Sequence, residues 1–211
     1  MLIKYIKQNH LALPLRMLEN DQIRRLLSAI SLNNDQTAYK ELFILLHSRL
    51  KQFAFSILKS GEEAEELVSD IFIGIWEKRN KLTSIESPLL YFYKTAKNLA
   101  YNRISKMKKQ PINSDDWFIQ FHSIYFDPEK LMMTEEMMRQ IRNAVNELPP
   151  RCKLIFKLVK EDGLKYREVA ELLHLSVKTI EAQMAIALRR LGKCMHLEIK
   201  SSAQGQLSLK K

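Results

Sequence analysis

Between residues 163 and 193, GLKYREVAELLHLSVKTIEAQMAIALRRLGK, two runs of helical periodicity are interrupted by His174, Leu175 and Ser176. The interruption predicts a helix, a tight turn and a second helix. In the first run Val169, Ala170, Leu172 and Leu173 share one side, and Ser176 carries a side chain well suited to N-cap the second helix. In the second run Val177, Ile180, Met184, Ala187, Leu188 and Leu191 form an inward stripe, which leaves Lys178, Thr179, Glu181, Gln183 and Ala185 pointing away from it. A helix fits the B-DNA major groove, where Gln pairs with adenine, Lys with guanine or phosphate, and Glu accepts from cytosine. The pattern predicts a DNA-directed helix-turn-helix; its rival is a helical hairpin with a solvated polar face.

Charge points the same way. The 211 residues include 34 Lys+Arg against 24 Asp+Glu, a net charge of +10, which favours a polyanionic partner but does not separate nucleic acid from an anionic membrane. Only 5 Gly and 6 Pro, without alternating β-branched runs, predict an all-α protein. Cys152 and Cys194 lie far apart and in no Cys/His cluster, so buried thiols are expected rather than a zinc site or a disulfide. His10, Pro14 and Arg16 interrupt the apolar start and no apolar run reaches membrane-spanning length, so a cytoplasmic protein is expected. No phosphate loop, GxGxxG or HExxH occurs, and the 5 histidines are dispersed; catalytic, cofactor and metal residues are all expected to be absent.

Periodicity places helices at 21–32, 37–59, 62–79 and 88–106, with three more at 135–148, 151–160 and the first helix of the turn motif. The expected organisation is two small helical domains, 21–106 and 134–199, joined by a flexible linker at 107–133. Residues 1–20 form an extension and 200–211 a disordered tail. The linker holds Trp117, Phe118, Phe121, Tyr125 and Phe126, unusual for a solvated spacer, so part of it is expected to dock on a surface.

Three further constellations carry chemistry. In EEAEELVSDIFIGIWEKR the acids Glu62, Glu63, Glu65, Glu66 and Asp70 occupy the half that suits a helix N-terminus, and Phe72, Ile75 and Trp76 cluster in the other half. Such a segment suits a protein partner in a basic chain, and a solvated face is the alternative. In residues 88–114 there are six basic residues and no acid: Lys94, Lys97, Arg103, Lys106, Lys108 and Lys109. Leu89, Phe92, Ala96 and Leu99 read as the inward stripe of that helix, while Tyr91, Lys94, Asn98 and Tyr101, with Lys97 beside them, form a second one. Aromatics interleaved with lysines suit single-stranded DNA, and tyrosines packed on a neighbouring helix are the rival reading. In the recognition helix Lys178, Thr179, Glu181, Ala182 and Gln183 lie where base edges are reached; Arg189 and Arg190 fall farther on, where they meet phosphates or complement the helix C-terminus.

Taken in order, AYKELF, AEELVSDIFIGIWEKR, SPLLYFYKTAKNLAYNRISK and LPPRCKLIFKLVKEDGLKYREVAELLHLSVKTIEAQMAIALRRL resemble the extracytoplasmic-function group of sigma-70 RNA polymerase sigma factors, from about residue 35 to 195. The resemblance implies a factor that binds core RNA polymerase and directs initiation without catalysis. Glu65, Glu66, Asp70, Phe72, Ile75 and Trp76 would meet the polymerase beta-prime clamp, with the beta subunit also engaged. Asn80, Lys81, Tyr91, Lys94, Lys97, Asn98 and Tyr101 would capture the minus-ten strand, and the recognition helix would read the minus-thirty-five element. An anti-sigma factor is a further expected partner, on apolar surface expected around Phe72, Trp76 and the linker aromatics; no small-molecule substrate is expected. Ser69 stands where many members have Gln, Ser105 where Arg is frequent, and His174 where Gly is common in the turn. A stand-alone helix-turn-helix regulator explains the C-terminal motif but not the acidic helix or the Tyr91 stripe. A nucleic-acid enzyme would have only Asp115 and Asp116 as candidate metal carboxylates.

Overall fold

A computed structural model describes residues 12–108, 139 and 143–205, with side chains described over 20–106, 139 and 143–193. The linker aromatics, Asp115, Asp116, Cys194 and most of the helix expected at 135–148 lie outside the described residues or side chains. Helices α1 (Ala12–Asn33), α2 (Gln36–Leu58), α3 (Gly61–Glu77) and α4 (Pro88–Lys108), with a 3₁₀ turn at Arg79–Ser84, form one compact unit. The other holds α5 (Pro150–Lys160), α6 (Tyr166–Leu173) and α7 (Val177–Gly205). Among the described residues there is no strand.

In the first unit α2 packs on α1, α3 and α4, and its Leu42, Leu46, Leu50 and Phe53 are almost wholly buried. Ile23, Leu27 and Ile30 of α1, Leu67, Val68 and Ile71 of α3, and Phe92, Tyr93 and Ala96 of α4 close the core around them. Helix starts obey local chemistry. The Asp35 carboxylate accepts from the Thr37 and Ala38 amides at 2.8 and 3.0 Å, Ser60 Oγ accepts from the Glu63 amide at 3.3 Å, and Pro88 opens α4.

Three segments are more ordered than their sequence suggests. Helix α1 is already formed at Ala12, well before the expected start at residue 21, because Leu, Arg, Met and Glu over 13–19 propagate a helix. The 79–87 loop contains a 3₁₀ turn instead of being irregular, held by Lys81 N–H to Lys78 O at 2.9 Å and pinned by buried Leu82. Backbone helix also continues to Gly205, past the expected fraying point.

In the second unit α5 and α6 pack on α7, burying Ile155, Val169, Leu172, Ile180 and Ala187 completely. Gly163, at φ 81°, makes the turn between α5 and α6 that a side chain would strain. The Lys157 ammonium, buried in this unit, lies 2.9 Å from Glu161 and 3.7 Å from Asp162, so its charge is compensated where water is excluded. His174 closes α6 at φ 53°, ψ 44°, the left-handed conformation that a glycine at this position would adopt without strain. Replacing it with Gly should relieve the left-handed strain and raise unfolding stability by about 1 kcal/mol, read by urea denaturation. Unchanged or lower stability would contradict that reading of the turn.

Candidate nucleic-acid and protein interfaces

The recognition helix is fixed at its start by Ser176, whose Oγ accepts from the Thr179 amide at 3.0 Å and lies 2.8 Å from Thr179 Oγ1. Ile180, Met184, Ala187 and Leu191 face the core as expected. Val177 does not: it is 36% exposed, because it sits at the margin of that stripe in a first turn with no preceding turn to cover it. Lys178, Glu181, Ala182, Ala185, Arg189 and Arg190 are exposed, whereas Thr179 and Gln183 are half-buried. Thr179 is engaged in the cap. The backbone carbonyl of Gln183 accepts from the Cys152 thiol at 3.2 Å, and Arg190 donates to the Glu147 backbone carbonyl at 3.4 Å, which turns that guanidinium toward its own unit. Burial pushes the Cys152 thiol pKa up, so it is held as an inert thiol.

On α4, Asn98 is exposed and Tyr91, Lys94 and Tyr101 are half-buried, so the second stripe exists as a surface row. Its tyrosines also pack: the Tyr91 ring meets Phe92 edge-on at 5.9 Å, and burial raises the Tyr101 hydroxyl pKa to about 12. Surface row and packed row therefore both hold in part. Lys97 departs from expectation. Only 7% of it is exposed, and burial, with Lys94 nearby, lowers its ammonium pKa, because its place on the helix carries it between neighbours and not onto the open face. The open phosphate contact expected of Lys97 is not supported by this placement. Asn80 and Lys81 are exposed on the 3₁₀ turn. The Arg79 guanidinium stacks 5.1 Å over the Trp76 ring, and Tyr39 meets the same indole edge-on at 5.2 Å, so Trp76 is half-buried.

Helix α3 requires the largest correction. Phe72 and Ile75 are each only 2% exposed, so neither offers a partner surface; three surrounding elements need apolar side chains from this helix, and these two supply them. The exposed side is Glu62, Glu66, Ser69, Asp70, Ile73 and Glu77. Ile73, 55% exposed between carboxylates, is absent from the expected partner face, although its steps of three and seven from Asp70 and Glu66 mark the same side of the helix.

The carboxylates are also cross-braced. Arg103 of α4 directs Nη1 to Glu63 at 2.8 Å and Glu66 at 3.3 Å, and Nη2 to Asp70 at 2.5 Å. A residue of the basic segment thus binds the acidic helix. On the other flank Glu65 lies 2.5 Å from Lys51 Nζ and 2.7 Å from His47 Nε2. Hydrogen bonds from Lys51 and then His47 hold its carboxyl below the usual range. With the folded value below the unfolded one, the pair stabilises the fold above the unfolded pKa and ceases to do so as pH falls through the folded value. Glu65→Gln should therefore flatten the acid side of the stability profile by a small amount, since the pair is near the surface. An unaltered acid limb in a pH series of melts would contradict this.

Among the described residues no helix is long and apolar enough to cross a membrane, and no group of His, Cys, Asp and Glu could hold a metal ion.

Comparison with known proteins bears on both units. Residues 42–110 match the family Sigma-70 region 2, and residues 138–191 match Sigma-70, region 4. The chain is similar to the ECF RNA polymerase sigma-E factor of Escherichia coli (strain K12), 22% identical over 158 residues, covering 71% of this chain and 82% of that one. It is also similar to the RNA polymerase sigma-H factor of Pseudomonas aeruginosa, 19% identical over 187 residues, covering 85% of this chain and 96% of the relative. Among solved structures it is similar to the sigma factor RpoE in complex with the anti-sigma factor NepR from Bartonella quintana, at TM-score 0.44 and 19% identity, over 75% of this chain and 96% of that one. CnrH in complex with the cytosolic domain of CnrY gives TM-score 0.44 at 17% identity, over 83% and 98%.

Proposed function

Because the chain belongs to the sigma-70 family of RNA polymerase sigma factors, in its extracytoplasmic-function group, we propose how its two units divide the work of promoter recognition. The protein binds core RNA polymerase, recognises minus-ten and minus-thirty-five promoter elements and directs transcription initiation. The presence of both sigma regions in order carries this conclusion. A stand-alone regulator would use the second alone.

We assign region 2 to 21–106, the connector to 107–133 and region 4 to 134–199, with 1–20 and 200–211 as flanking segments. Glu66, Asp70 and Ile73 form the face of α3 offered to the polymerase beta-prime clamp, where a basic partner with an apolar contact would fit two carboxylates around an exposed isoleucine. Glu65 and Trp76 act beside that face, and Phe72 and Ile75 hold it from within. Asn80, Lys81, Tyr91, Lys94, Asn98 and Tyr101 form the minus-ten surface, lysines following phosphates while rings stack on unpaired bases. Lys178, Glu181, Ala182 and Arg189 lead the minus-thirty-five surface, with Thr179, Gln183 and Arg190 at its margins.

No catalytic step is assigned to the chain; it acts by binding, in the cytoplasm, where its polymerase is. An anti-sigma factor belongs to the same reading. Exposed apolar side chains it would cover include Ile44, 66% exposed, and Ile73, whereas Phe72 is buried. Co-purification with core polymerase tests the proposal against the regulator: a stoichiometric complex is expected without DNA, and DNA binding with no polymerase association would overturn it.

A further inference from the structure

We infer that the minus-thirty-five element chosen by this chain is read through a cytosine facing Glu181 and thymine methyl groups facing Ala182 and Ala185, with basic side chains only at the two ends of the reading face. The inference rests on α7 being the promoter-facing helix and adds what that helix selects.

At helical pitch Lys178, Ala182, Ala185 and Arg189 fall one above another, opposite the buried row Ile180, Met184, Ala187 and Leu191. All four are exposed, and exposed Glu181 borders them. The crest is charged at its ends and small and apolar in the middle. Residues 177–188 contain no arginine, so the bidentate arginine-to-guanine contact is not available from the first three turns. An alanine offers nothing to the N7 and O6 acceptors of guanine. It lets the helix approach closely, however, and packs against the C5-methyl of thymine. A carboxylate needs a donor, and cytosine N4 supplies one without the adjacent N7 acceptor that adenine would set against the second oxygen.

The two other polar candidates are held back. Thr179 Oγ1 lies within the helix cap, 2.8 Å from Ser176 Oγ, and Gln183 is half-buried at the margin of the face.

Holoenzyme made from the full chain and core polymerase should be used to select from a promoter pool randomised across the minus-thirty-five window. The expected consensus contains a cytosine whose preference, roughly tenfold, disappears with Glu181→Gln. Replacing its thymines by deoxyuridine, which removes only the methyl group, should weaken binding by about fourfold at each contacted position. Retained cytosine preference in Glu181→Gln, or full tolerance of deoxyuridine at every position, overturns the inference. So does a consensus that changes with Gln183→Ala and not with Glu181→Gln. Sequence selection that ignores these changes leaves α7 promoter-facing and removes only this assignment, whereas no selection in the window at all removes the promoter-facing role with it.

Discussion

Phe72→Ala should lower the unfolding free energy of the first unit by about 3–5 kcal/mol, the largest effect expected of any single change in the acidic helix. The ring is 2% exposed and stands among Phe43, Tyr39 and Phe92, with centroids at 4.9, 6.0 and 6.0 Å. It sits where α2, α3 and α4 meet. Its backbone carbonyl also accepts from the Tyr39 hydroxyl at 2.9 Å, so a collapse around the missing ring would disturb that bond as well. Urea denaturation of the full chain reads the loss directly. Were Phe72 a partner contact, the same substitution would leave denaturation unchanged and weaken only polymerase binding.

Replacing Tyr91 and Tyr101 together by Ala should reduce promoter opening by roughly thirtyfold or more while polymerase binding persists, since each stacked base is worth ~1–3 kcal/mol. The two rings lie on one row of α4 with Lys94 and Asn98, and each keeps part of its surface open. Packing complicates the experiment. Tyr101 is buried enough for its hydroxyl pKa to rise to about 12, so truncation also costs stability. Tyr→Phe at both positions resolves the two contributions, because it keeps the stacking plane and the packed volume. Permanganate reactivity of the minus-ten strand should be near normal in the Phe pair and low in the Ala pair. Normal opening in an Ala pair that remains folded would remove this helix from strand capture.

Helix positions are legible in the sequence because each amphipathic run repeats at helical spacing and Ser176 stands in the break where a helix begins, whereas the caps made by Asp35 and Ser60 come to light only in the structure. Orientation around a helix is less legible. In α3 apolar residues occupy more than half of the circumference, and periodicity cannot say which of Phe72, Ile73, Ile75 and Trp76 is left outside when neighbouring helices cover most of it. The Arg103 brace is invisible for another reason: its partners lie 33 to 40 residues away, and a basic residue in a basic helix carries no mark of an acidic partner. Val177 shows the same limit at a helix end, where the stripe rule assumes a covering turn that is absent. The 3₁₀ turn at Arg79–Ser84 escapes a sequence reading because its polar residues match loop composition and Leu82 is its one buried side chain.

This chain gives core RNA polymerase a promoter choice it otherwise lacks. Run-off transcription from the DNA upstream of its own coding region, with core polymerase alone and with core plus the full chain, puts that to the test. A discrete transcript that appears only with the chain, and is lost when both promoter elements are scrambled, is the predicted result. Equal output from core alone, or no specific transcript on any candidate promoter, would contradict it.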